Sequence, residues 1–73
     1  MTDGIQTELT SPPDREKLVV QLMSGCEQFA ELNQERDLLE VEIYPRRDGQ
    51  PWVFIYSDLI EALERAKEKL TGR

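Results

Sequence analysis

Glu40 and Glu42 stand two residues apart in a stretch where apolar and charged residues alternate. On a strand they share one face with their carboxylates about 7 Å apart, a spacing that suits a hard cation or paired acid-base work. Nothing else in the chain completes either chemistry, because there is no histidine, no third acid clustered with the pair and no glycine-rich loop. The pair is therefore expected to be a solvated or partner-facing strand edge, with no metal and no cofactor. Cys26 is the only cysteine, which excludes an intrachain disulfide and every zinc pattern built on cysteine pairs. It falls among apolar residues at helical spacing, where a small buried thiol is the ordinary case and a nucleophile would need a basic neighbour. With no convergent acid, base and nucleophile, the chain is expected not to be an enzyme and no small-molecule substrate is inferred.

The segment Tyr44–Trp52, YPRRDGQPW, sets Arg46 and Arg47 beside an Asp-Gly pair. Paired guanidinium groups at a hairpin tip have the donors to grip phosphate. The rest of the chain opposes that use: 15 acidic residues against 9 basic ones give a net charge of −6, which repels a polyanion. Nucleic-acid contact through these arginines is thus a minor alternative to a solubilising loop or a carboxylate-binding one. Tyr44, Trp52, Phe54 and Tyr56 are the candidate aromatic contacts, since large amphipathic rings contribute heavily to interfaces. Glu40 and Glu42 join them as candidate interaction residues.

At 73 residues, 38% hydrophobic and 33% charged, the chain is expected to be one small soluble domain. A core of this size seldom supplies more than ~3–5 kcal/mol without a disulfide, a metal or oligomerisation, which directs attention to self-association. The N-terminus lacks the pattern of a signal peptide, and no apolar run approaches the ~20 residues of a membrane helix, so a cytoplasmic protein without membrane contact is expected.

Residues 1–10 show no period and are expected to be a flexible lead-in to a single domain over 11–73. Ser11-Pro12-Pro13-Asp14 carries several helix-start signals, and Leu18, Leu22, Cys26 and Phe29 recur at three- and four-residue steps. Together they predict a helix from about Pro12 to Asn33, with Gly25 as its weak point. Leu39, Val41 and Ile43 alternate with Glu40, Glu42 and Tyr44, which predicts a strand with its apolar residues inward. Trp52–Tyr56 is apolar throughout and reads as a second strand, paired with the first through a turn at Asp48-Gly49. Ser57 is placed to cap a last helix from Asp58 to Leu70, with Leu59, Ala62, Leu63, Ala66 and Leu70 as its buried stripe and Gly72 as its stop.

The expected fold class is therefore α+β, in the order helix, strand, strand, helix with an antiparallel β-hairpin. Two hairpin registers remain open. A two-residue loop turns the aromatic residues inward and Val53 with Ile55 outward, and a three-residue loop reverses this. Either leaves an apolar face uncovered, which favours completion by homodimerisation. The functional expectation is a non-enzymatic acidic protein acting by protein-protein interaction, of regulatory or adaptor type, as a homodimer with a further protein partner. Residues 1–37 hold eight acids against three bases. That excess supports an alternative, an acidic inhibitor of the accessory type that phages and mobile elements encode, occupying a basic groove by mimicking nucleic acid.

Overall fold

The structure, a computed structural model, describes residues 4–72. Among these residues four strands, β1 (Ile5–Thr10), β2 (Val19–Ser24), β3 (Glu27–Asn33) and β4 (Glu40–Ile43), form one antiparallel sheet in chain order, followed by one helix, α1 (Tyr56–Thr71). The class is α+β, but the order of elements is not the expected one. The first helix is absent, and its span holds the two central strands instead.

The correction turns on Gly25. Ser24 pairs with Glu27, so Gly25 and Cys26 form a two-residue hairpin loop. Gly25 sits at φ +63°. A positive φ at the first central position is what a type II′ hairpin turn requires, and glycine adopts it without steric cost. The residue that weakens a helix there is the one that makes the hairpin. Val19 and Val20, both β-branched, open β2. Cys26 consequently lies exposed at the turn rather than buried in a stripe. The Ser11–Asp14 signals start no helix either, since Arg15 N–H donates to Pro12 C=O across an isolated turn.

Ile5–Thr10, expected within the lead-in, is β1, paired in register with β2 from Ile5↔Ser24 to Thr10↔Val19. The first three residues of that lead-in lie outside the described residues. Between β2 and β3 the register slips at Leu22/Met23: Leu22 faces Ala30, Met23 faces Gln28, and Phe29 is the extra residue. A bulge of this kind bends the strand and re-aims a side chain. Here Phe29 joins the core beneath α1.

That core consists of Ile5, Val20, Leu22, Phe29, Ala30 and Leu32 from the sheet with Ala62 and Ala66 from the helix. The two alanines, fully buried, let the helix lie close to the strands, while Leu59, Leu63 and Leu70 pack at the margins. This is the stripe expected from the 3.6-residue period. The helix starts earlier than expected: Ile55 is its N-cap residue, contributes no side-chain cap, and leaves Ser57 inside the first turn. At the other end Gly72 adopts the left-handed conformation, φ 79°, and donates its N–H to Glu68 C=O at 2.8 Å. The expected glycine stop is therefore present.

The second expected strand is not one. The turn at Asp48-Gly49 forms, with Gly49 N–H donating to Arg46 C=O and Gln50 N–H to the Asp48 carboxylate. Beyond it Trp52–Ile55 makes no ladder with β4. Pro45 and Pro51 flank the neck, where each lacks a donor, and the chain crosses to the helix side instead. With no ladder there is no register to choose, although Trp52 and Phe54 do turn inward while Val53 and Ile55 stay exposed. Tyr56, expected at the end of this strand, is the first helical residue and is exposed.

Candidate interaction surface

The helix lies against β1, β2 and β3 and does not reach β4. That geometry decides what the surface offers. Val41 and Ile43, paired with Leu32 and Ala30, share their sheet face with the core, yet both are exposed, Ile43 by 72%. Leu39, just before the strand, is exposed as well. The expectation that these three form a buried face is overturned because, among the described residues, no layer covers them.

Between β4 and α1 there is consequently an apolar hollow of about 220 Å³, walled by Val41 and Ile43 on one side and by Trp52, Phe54, Leu59 and Leu63 on the other, with Phe29 and Ala30 also lining it. A second, shallow and more polar hollow of about 520 Å³ involves Leu39, Gln34, Lys67 and Leu70. The first is held open by a rigid aromatic group. Phe29, raised by the bulge, meets Phe54 at 4.5 Å and Trp52 at 5.6 Å between ring centroids, and Trp52 stacks on Phe54 at 5.9 Å. The indole N–H of Trp52 donates to Tyr44 C=O at 3.0 Å, tying the crossing segment to the end of β4.

The two arginines of the tip part company. Arg46 lies over the Trp52 ring at 5.7 Å, pairs with Asp48 at 3.2 Å and donates to Pro51 C=O, so it stiffens the turn. Arg47 is exposed, and its contribution to the fold is its main-chain N–H, which donates to Glu27 Oε2. Arg46 is thus engaged by the turn, while the Arg47 side chain stands in solvent.

On the opposite face of the sheet, Glu31 and Glu42 stand directly across from each other on β3 and β4. Like charges so placed repel. Arg15, from the loop between β1 and β2, reaches both carboxylates at 2.9 Å. Its guanidinium is held above its ordinary pKa, first by the hydrogen bond to Glu42 and then by the charge of Glu31. Buried Asn33 donates to Glu31 and accepts from the Glu35 N–H. Glu40 pairs separately with Arg36 at 2.7 Å. Glu40 and Glu42 thus do share the expected strand face, but each is bound to an arginine, and no group of acids among the described residues is arranged to hold a metal ion. Arg15 and Glu31 were not legible as partners while both were assigned to one helix, since their contact depends on a loop lying back across the sheet.

The Tyr44 hydroxyl lies 3.4–3.5 Å from oxygens of Glu42 and Glu31. Burial, reinforced by those two carboxylates, raises its pKa above 10.0. The protonated phenol is therefore favoured in the fold: its contribution is fully present below pH 10 and lost as pH climbs through the raised value. Tyr44→Phe is expected to flatten the alkaline fall in melting temperature, measured from about pH 9 to pH 11.5. The profile stays sloped, because Lys17, raised chiefly by its hydrogen bond to Asp37, loses its proton in an overlapping range. A variant profile as steep as that of the parent would contradict the assignment.

Comparisons with protein-family models, curated proteins and solved structures find no match to this chain. No helix among the described residues is long and apolar enough to cross a membrane.

Proposed function

We propose that the chain is a non-enzymatic binding protein, acting in the cytoplasm by protein-protein interaction, with β4 and the hollow beside it as the contact surface. The observation that carries this reading is the mismatch between a four-stranded sheet and a helix that covers three strands. Apolar side chains left on an uncovered sheet face are costly in water, and patches of this kind mark interaction sites. Ile43 is more than two-thirds exposed, as are Val53, Ile55 and Tyr56 on the segment that carries Trp52 and Phe54 into the helix. The aromatic wall is built from the residue types that dominate binding energy at interfaces, and its rigid rings lose little entropy when a partner arrives. A second copy is the alternative occupant, favoured by the unpaired outer edge of β4, where two sheets would join.

A photo-crosslinking side chain placed at position 43 tests the reading in cells that express the chain naturally. A discrete adduct with another protein is the expected product, and the same group at position 8 on β1 is expected to give none. Equal adducts from both positions, or none from either, would refute the surface assignment. An adduct of twice the chain's own mass would identify self-association, which light scattering over the micromolar range would then confirm. An acidic mimic differs again, because its contact is electrostatic throughout and is abolished by high salt, while a contact that also buries apolar surface beside β4 is weakened only in part.

A further inference from the structure

The two edges of the sheet are not equivalent. At the β1 edge Arg65 donates to Ile5 C=O at 3.0 Å and Lys69 donates to Thr7 C=O at 2.7 Å, so helix cations occupy main-chain acceptors that an added strand would need. At β4, among the described residues, no side chain bonds to the main chain of Glu40–Ile43, and no helix stands beside it. Tyr44 N–H donates to Phe29 C=O on β3 at 2.8 Å. Bonded and non-bonded residues alternate along an antiparallel ladder, so the N–H and C=O groups of Ile43 and Val41 point away from β3, towards the free edge. One edge is closed by design and the other is open.

Resting on the binding reading above, we infer that the partner presents an extended segment of alternating aliphatic and cationic residues, which pairs antiparallel with β4 as a fifth strand. Its aliphatic side chains fall opposite Val41 and Ile43, at the mouth of the hollow. Its cations fall opposite Glu40 and Glu42 on the other face, since residues directly opposite in a ladder share a face, and there Arg15 alone answers both Glu31 and Glu42 and leaves that pair net negative. The charge around that face is complementary: residues 14–17 and 31–42, joined by the Arg15, Glu16 and Lys17 contacts, hold seven acids against three bases. A second copy fits less well. Antiparallel pairing of β4 with itself sets glutamate opposite glutamate and joins two chains of charge −6.

The test uses an acetylated, amidated peptide of about seven residues alternating lysine and valine, titrated into the full chain while backbone amide resonances are followed. Saturable shifts at Glu40–Ile43 and slowed exchange of the Val41 and Ile43 amides are expected. N-methylation of the peptide's valines removes the donors facing β4 and should weaken binding by about tenfold or more. A peptide of the same composition with lysines and valines in separate blocks should weaken similarly. Val41→Pro removes an outward-facing donor without touching the β3 ladder and is expected to lose the peptide while keeping the fold. If that variant fails to fold, the N-methylated peptide decides alone. Unchanged affinity of the N-methylated or block peptide, shifts centred on β1, or no binding at all would overturn the strand-addition proposal. Should position 43 still crosslink a partner in that event, the binding reading stands and only its strand geometry falls.

Discussion

Leu22→Ala is expected to remove most of the fold's stability at 25 °C. Leu22 is fully buried in β2, between Thr7 of β1 and Ala30 of β3 and within the cluster beneath the helix. Truncating a buried leucine to alanine costs about 2–5 kcal/mol, partly from lost transfer free energy and partly from the cavity left behind. A core of this length supplies roughly 3–5 kcal/mol in total, so the loss is comparable to the whole stability. Circular dichroism with urea titration reads the result directly. The informative control is Ile43→Ala, which should shift stability by no more than about 0.5 kcal/mol because the side chain is already in water. If Ile43→Ala destabilises as much as Leu22→Ala, β4 has a buried face and the uncovered surface does not exist.

That pair of variants also marks where sequence reasoning reached its limit. The last helix was legible, because Leu59, Ala62, Leu63, Ala66 and Leu70 repeat at a period no strand shares, and because Gly72 stands where a left-handed stop is needed. The alternation through Glu40–Ile43 was legible as a strand for the same reason. The span from Pro12 to Asn33 was misread because a hairpin imitated a helix there. Leu18 and Cys26 contribute two of the helical steps, yet both are exposed, while Leu22 and Phe29 are buried from separate strands. Gly25 was the available signal: with β-branched residues upstream, a glycine costly in a helix favours a turn. The exposure of Val41 and Ile43 had no local signal at all. It depends on how far across the sheet the helix reaches, which is a tertiary quantity, and the same residues would have been core under a helix placed one strand farther over.

Trp52→Ala is expected to destabilise the chain by about 2–4 kcal/mol, somewhat below the 3–5 kcal/mol of a fully buried aromatic, because the indole is only partly covered. The variant loses the ring contacts with Phe29 and Phe54, leaves Tyr44 C=O without its indole donor, and frees Arg46 from the ring beneath it. Trp52→Phe separates these effects: it keeps a ring and removes the donor, so it should cost about 0.5–1.5 kcal/mol, the net worth of one hydrogen bond. Equal losses for the two variants would mean that the bond, and not the stacking, holds the crossing segment. Trp52 is also the only tryptophan, so its emission reports on the hollow without a label. Because the ring forms part of the wall that an aliphatic side chain would touch, occupation of the hollow should exclude water from it and move the emission to shorter wavelength. A peptide that pairs with β4 yet leaves the emission unmoved would show that the strand edge binds by its main chain alone, with the aromatic wall serving the fold and not the partner.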